Sequence, residues 1–123
     1  MKLTLSSLPH TWILDLDGTI VEHNGYKLYG DDRLLPGVMD FIGQIPREDY
    51  ILIVTARKEA YKVPTEAFLK RNGVRFNQIL YGMPVGERIL INDRKKSGLK
   101  MGVLINKKRD APLNINVQIQ DDL

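Results

Sequence analysis

The chain contains no cysteine among its 123 residues. Disulfide bonds and thiolate metal sites are therefore excluded, and the absence also agrees with a cytoplasmic address. No stretch approaches the roughly 18 consecutive apolar residues of a membrane span. The N-terminal segment lacks the long apolar run and the small-residue cleavage site of a secretory signal. We therefore expect a cytoplasmic protein with no role in a membrane.

The remaining composition is that of an ordinary globular protein, with 43% apolar and 27% charged residues. A chain of this length can bury one core of common size but not two, so we predict a single domain, residues 1–123. The net charge of +3 and the pI near 9.2 suit an anionic substrate or a nucleic acid. Lysine and arginine are scattered along the chain, however, so a nucleic-acid partner is only weakly indicated.

Short apolar runs alternate with segments of helical spacing. The runs have the length of strands, are rich in Ile, Leu and Val, and lie at residues 11–15, 50–55, 78–81, 88–92 and 100–105. Helical spacing occurs at 36–45 and 65–72, and residues 115–119 can add an edge strand. Continuous apolar runs are typical of parallel strands that are covered on both faces. We predict an α/β fold with a doubly wound, mainly parallel sheet flanked by helices.

Polar side chains follow three of the predicted strands. Asp15 and Asp17 close the first strand, Thr55 closes the second, and Asp93 follows the run at 88–92. In a parallel sheet these ends share one edge, where ligands commonly bind. The alternative is that the same residues only begin turns, since turns favour Asp, Gly and Thr.

Three segments resemble motifs of the haloacid dehalogenase superfamily, in order and at suitable spacing. They are ILDLDGTIV, YILIVTAR and ILINDRKKSG. The resemblance implies a capless phosphatase core that works through an aspartyl-phosphate intermediate. In that family the first aspartate, here Asp15, attacks phosphorus, and the second, here Asp17, is the general acid and base.

The same resemblance implies a Mg²⁺ cofactor. Its ligands would be the Asp15 carboxylate, the Asp17 backbone carbonyl and the Asp93 carboxylate, which are the hard oxygen donors that Mg²⁺ prefers. Gly18 would let the backbone approach the phosphate closely, and the Thr55 hydroxyl would bond a phosphoryl oxygen.

Two positions depart from the family pattern. Asn92 stands where a second acid is usual, and Met83 stands where relatives have a lysine that bridges nucleophile and phosphate. Arg57 and Arg88 are the first candidates for the missing positive charge, ahead of Lys95 and Lys96. Each of them has the ordinary alternative of a solvated surface cation.

The spacing of the motifs leaves no room for a separate cap domain. Residues of the loop EHNGYKLYG, namely His23, Tyr26 and Lys27, are then the nearest candidates for substrate contacts. We expect a small phosphorylated substrate, such as a sugar phosphate, with a homo-oligomer as one way to cover the open site. Two alternatives remain: a polynucleotide end phosphatase, and a non-catalytic module that binds a phosphorylated ligand or supports assembly.

Overall fold

The computed structural model describes all 123 residues. It contains five strands, three α-helices and one 3₁₀ turn. In chain order they are β1 (Lys2–Ser6), β2 (Thr11–Asp15), α1 (Gly25–Tyr29), α2 (Val38–Gln44), β3 (Tyr50–Val54), the 3₁₀ turn (Glu59–Tyr61), α3 (Lys62–Arg71), β4 (Gln78–Leu80) and β5 (Asn116–Gln120). None of the helices is long and apolar enough to cross a membrane.

The strands form two parallel sheets. The larger one has the order β2-β3-β4, and the smaller one pairs β1 with β5. Parallel neighbours need a crossover connection, which α2 provides between β2 and β3 and α3 provides between β3 and β4. The predicted α/β class with parallel strands is thus confirmed, and the arrangement is compatible with a Rossmann-like core.

The two faces of the larger sheet differ in burial. Trp12 pairs with Ile51 in register, and both side chains belong to a core of 17 buried apolar residues. The helices reach this core through Phe41 of α2, whose ring meets the Trp12 ring edge-on, and through Phe68 of α3. Side chains alternate between faces along a strand, so Ile13 points the other way, and it is 52% exposed.

The predicted strands at 88–92 and 100–105 are wrong. These residues form a loose hairpin, called here the 88–104 hairpin, in which Arg94 bridges Lys100 and Asn92 donates to the carbonyl of Met101 at 3.1 Å. A tight turn from Lys95 to Gly98 brings the two runs together, so they face each other and not the sheet. Large apolar side chains remain exposed on both arms and just before them: Val85, Ile89, Leu90, Ile91, Met101, Val103 and Leu104.

Other boundaries follow the sequence pattern closely. The edge strand predicted at 115–119 is present as β5, although it pairs with β1, a strand that the sequence reading missed. The helix predicted at 65–72 begins three residues earlier, and Pro64 lies in its first turn, where its missing N–H costs nothing. Gly73 has a φ of 76°, as expected for the left-handed residue that ends a helix.

The C-terminal tail packs against the start of α2. Gly37 has a φ of 85°, and a Cβ atom placed on it would lie 2.6 Å from the carbonyl oxygen of Leu113. The backbone N–H of Leu113 donates to the carbonyl of Pro36 at 2.8 Å. Only glycine allows this close approach of the two chain segments.

Candidate functional site

The loop that follows β2 is held rigidly. Gly18 donates to the carbonyl of Val21 at 2.7 Å, and Ile20 donates to the carbonyl of Leu16 at 2.9 Å. The side chains of Leu16, Ile20 and Val21 are fully buried. A φ of 83° at Gly18 completes the tight turn. The apolar residues of ILDLDGTIV therefore anchor the loop, and its two aspartates lie at the carboxyl end of β2.

Asp15 is half-exposed and has two side-chain partners. Arg88 donates from Nη1 to Oδ1 at 2.9 Å, and Thr19 donates from Oγ1 to Oδ2 at 3.3 Å. The side chains of Asp15 and Arg88 are each 40% exposed. Both water and a ligand can thus reach the carboxylate. The 88–104 hairpin, through its first residue, brings a cation to the expected nucleophile.

Asp17 is bound to Arg57 through both of its oxygens. Arg57 donates from Nη2 to Oδ1 at 2.7 Å and from Nε to Oδ2 at 3.1 Å. Two parallel bonds of this kind fix the planes of both groups. Asp17 keeps 22% of its side chain exposed, whereas the Arg57 side chain is only 3% exposed. The carboxylate is therefore held from the protein side and open on the other.

Arg57 has a second carboxylate partner that the sequence reading missed. Asp32 accepts from Nη1 at 2.9 Å and from Nη2 at 2.7 Å, and its side chain is 5% exposed. Thr65 of α3 accepts a further bond from Nη1 at 3.0 Å, and the ring of Tyr26 lies 4.1 Å from the guanidinium carbon. Nothing in the local sequence distinguishes Asp32 from Asp31, which forms an exposed ion pair with Arg71.

The surroundings of Arg57 keep it charged. Burial disfavours the charge, but the hydrogen bonds and the negative charges of Asp32 and Asp17 outweigh that effect and raise the pKa of Arg57 above its ordinary value. All five N–H hydrogens have acceptors within the protein, since Nη1 and Nη2 each bond twice and Nε once. Arg57 thus has no free donor for a phosphate.

Thr55 and Met83 lie beside this ion-pair cluster. The buried Thr55 hydroxyl accepts from the backbone N–H of Arg57 at 3.0 Å, and the carbonyl of Thr55 accepts from the N–H of Met83 at 3.0 Å. Thr55 thus bonds the backbone of the residue whose side chain holds Asp17. Met83 is half-buried, its backbone bonds Thr55, and its side chain brings no charge.

A basic segment that the sequence reading did not single out flanks the loop on another side. Lys107 donates from Nζ to the carbonyl of Gly18 at 3.0 Å, and the N–H of Asp110 donates to the same oxygen at 2.9 Å. Burial lowers the pKa of Lys107, and the charge of Asp110 opposes that shift. Both backbone polar groups of Gly18 are therefore engaged within the protein.

The remaining predicted residues form no hydrogen bond or ion pair with Asp15 or Asp17. Asp93 lies exposed on the 88–104 hairpin. His23 bonds through its backbone N–H to Asp110 at 2.8 Å, and the Lys27 ammonium lies 5.7 Å from the Tyr26 ring centre. No group of three or more His, Cys, Asp or Glu side chains is arranged to hold a metal ion.

Two of the three expected Mg²⁺ donors nevertheless suit the ion. The Asp15 carboxylate is partly exposed, and the carbonyl oxygen of Asp17 accepts no hydrogen bond within the protein. Mg²⁺ prefers hard oxygen ligands and retains several waters, so a carboxylate and a free carbonyl on one rigid loop fit its chemistry.

Comparison with protein-family models, curated proteins and solved structures found no match to this chain. The functional assignment therefore depends on the motifs and on the geometry of the loop after β2.

Proposed function

We propose that the chain is a Mg²⁺-dependent phosphatase that hydrolyses a small phosphorylated metabolite, such as a sugar phosphate, through an aspartyl phosphate. The observation that carries the proposal is that two aspartates on one rigid loop lie in different environments. Asp15 is half-exposed beside Arg88, and Asp17 is held by the buried Arg57. Two carboxylates in different environments suit a nucleophile and an acid–base group.

The chemistry has two steps. An oxygen of Asp15 attacks phosphorus, the bond from phosphorus to the leaving oxygen breaks, and Asp17 gives its proton to that oxygen. Water then attacks phosphorus, Asp17 takes a proton from it, and the bond from phosphorus to Asp15 breaks. The ion pair with Arg57 corresponds to the ionised Asp17 of the second step, so Asp17 has to take a proton from solvent before the first step and recovers one from the attacking water thereafter.

Positive charge supports both steps. Mg²⁺, held by the Asp15 carboxylate and the Asp17 carbonyl, would neutralise charge on the phosphoryl oxygens. Arg88 takes the role that a lysine has in similar phosphatases, because its guanidinium already contacts the Asp15 carboxylate and is exposed enough to bond a phosphate. Arg57 is excluded from that role because its donors are all occupied.

Asp93 completes the ligand set only if the hairpin approaches the sheet. Arg88 holds the start of the hairpin at Asp15, and the apolar residues 89–91 are exposed. A movement of the hairpin that keeps this contact and turns Asp93 toward Asp15 would complete the set. We propose this arrangement for the Mg²⁺-bound protein, which would act in the cytoplasm without a cap domain.

The proposal is tested with a panel of sugar phosphates, nucleotides, 3′-phosphorylated oligonucleotides and p-nitrophenyl phosphate, with and without Mg²⁺. Asp15→Asn removes the nucleophilic charge with almost no change in shape, so it should lower kcat by at least about a thousandfold. Asp40→Asn is the matched control, because the Asp40 side chain is exposed on α2 and forms no ion pair. Turnover by the Asp15 variant within about tenfold of the parent would rule out the aspartyl phosphate.

One observation favours a second candidate, a module that binds a phosphorylated ligand without turning it over. Met83 supplies no charge where similar phosphatases have a lysine, and Asp93 lies exposed on the 88–104 hairpin. Calorimetric binding of Mg²⁺ and inorganic phosphate, without hydrolysis of any ester in the panel, would favour this function over the phosphatase.

A further inference from the structure

Asp32 is a buried charge that the proposed reaction does not use directly. It lies in the segment between α1 and α2, outside the three motifs, and its carboxylate is 5% exposed. Its two side-chain oxygens accept only from Arg57. Buried ion pairs contribute little net stability, because the cost of removing both charges from water offsets much of their attraction. A role in stabilising the fold alone therefore explains Asp32 poorly.

The geometry connects Asp32 to Asp17 through a single planar group. The Arg57 guanidinium makes two bonds to each carboxylate, and Nη2 contacts both. Thr65 bonds the same guanidinium, and the Tyr26 ring covers it. These contacts fix the orientation of Arg57 and, through it, that of the Asp17 carboxylate.

We infer that Asp32 is a positioning residue for the acid–base step. This inference rests on the proposed phosphatase function. Asp32 fixes the plane of Arg57, and Arg57 in turn fixes the direction in which Asp17 offers an oxygen to the leaving group and to water. Misplacing a catalytic group by about 1 Å can cost roughly a hundredfold in rate, so this orientation has a measurable effect.

The test compares two substrates with different needs for an acid. The leaving group of p-nitrophenyl phosphate departs without much protonation, whereas that of a sugar phosphate requires it. Values of kcat/KM report the steps up to phosphoenzyme formation and so isolate the acid step from later hydrolysis. Asp32→Asn should lower kcat/KM for the sugar phosphate by about ten- to a hundredfold and for p-nitrophenyl phosphate by less than about threefold.

Two further variants make the result specific. Asp40→Asn removes the same charge from an exposed side chain outside the ion-pair cluster and should leave both kcat/KM values unchanged. Thr65→Val removes one bond to Arg57 with little change in shape. It should also lower kcat/KM more for the sugar phosphate than for p-nitrophenyl phosphate, but by a smaller factor than Asp32→Asn does. It provides the test if Asp32→Asn does not fold, which circular dichroism and thermal unfolding would reveal.

The outcomes separate this inference from the proposed function. The positioning role is overturned if the parent is active and the Asp32 variant loses equal activity on both substrates. If the Asp32 variant is unfolded, the Thr65 variant takes its place in this comparison. This result would leave the proposed phosphatase function intact. Unchanged activity in that variant would have the same meaning. A parent that hydrolyses no ester in the panel overturns the proposed function, and the positioning role falls with it.

Discussion

Arg88 donates from Nη1 to Oδ1 of Asp15 at 2.9 Å, and this is the only ion pair that joins the 88–104 hairpin to the rest of the chain. The contact couples the position of the hairpin to the charge at the expected nucleophile. Any ligand that binds Oδ1 of Asp15 must share it with this guanidinium or displace the guanidinium.

Removing Arg88 should therefore affect catalysis strongly. Arg88→Ala should lower kcat by roughly a hundredfold, the usual scale for deleting one electrostatic stabiliser of a transition state. Arg94→Ala is the control, since Arg94 lies exposed on the same hairpin and forms no ion pair. Steady-state kinetics on the best ester of the panel would check both. Equal rates for the Arg88 variant and the control would show that Arg88 is only a surface cation.

Met83 offers a complementary test. Its backbone bonds Thr55, so a lysine at this position begins from the rim of the site. Met83→Lys in the Arg88→Ala background should restore part of the lost kcat. If Met83→Lys instead creates phosphatase activity in an otherwise inert parent, the non-catalytic function is the better description of the natural chain.

The affinity for Mg²⁺ tests whether the 88–104 hairpin brings Asp93 to the ion. Asp93→Ala removes an anionic ligand and should weaken Mg²⁺ binding by about tenfold or more, because the ion then has less compensation for the water it loses. Isothermal titration calorimetry would measure the change, with Asp121→Ala, an exposed acid in the tail, as control. Unchanged affinity would mean that Asp93 stays on an open hairpin.

A buried carboxylate away from the site should control stability at low pH. Asp49 accepts hydrogen bonds from Trp12 Nε1 at 2.9 Å and from His10 N and Nδ1 at 2.9 and 2.7 Å. Burial acts to raise the pKa of Asp49, but these hydrogen bonds outweigh it and lower the pKa below the ordinary 3.8. The stabilising contribution is therefore present above that value and is lost as the pH falls through the lower, folded-state pKa.

Asp49→Asn should lower the free energy of unfolding at pH 7 by about 1–3 kcal/mol, because an amide hydrogen would face the donors of His10. Thermal unfolding between about pH 7 and pH 2 measures both effects. The parent should lose stability steeply at the acid end, and the variant should lose less. Asp122→Asn, in the exposed tail, should follow the parent. Parallel curves for parent and Asp49 variant would contradict the role of this carboxylate.

Alanine substitutions at two glycines of the α2 region should have opposite effects on the free energy of unfolding. Gly37→Ala forces a side chain into left-handed backbone and against the Leu113 carbonyl, so it should destabilise the protein by at least about 2 kcal/mol. Gly43 lies inside α2 with open space around it, and Gly43→Ala should stabilise the protein by about 0.5–1 kcal/mol. Urea unfolding would compare them. A neutral Gly37 variant would show that the tail can move away from α2.

The sequence predicts those parts of the fold in which the spacing of apolar residues matches the side chains that the core buries. The apolar runs of β2 and β3 and the helical spacing of α2 follow directly from the core that they form. The neighbouring positions of Asp15 and Thr55 are predictable because parallel strands place their carboxyl ends at one edge. The runs at 88–92 and 100–105 have the same composition, but a local turn pairs them with each other.

Asp32 and Lys107 show why the rest of the site escapes a reading of the sequence. Each acts through a contact with a distant residue, Arg57 and Gly18 respectively, and neither belongs to a repeating pattern. Charged residues in polar loops are usually solvated, so the sequence favours exposed side chains at both positions. Only the folded chain distinguishes the buried Asp32 from the exposed Asp31 beside it.

The pairing of β1 with β5 has a consequence for how the protein is made. Lys2 lies opposite Asn116 and Ser6 lies opposite Gln120, so β1 cannot pair until residues 116–120 have been synthesised. Contacts between such distant residues close large loops and form slowly. During synthesis the ribosome therefore releases β1 long before it can pair. A nascent chain stalled before residue 116 would expose the edge of β1 to chaperones and proteases, whereas β2, β3 and β4 could already have paired.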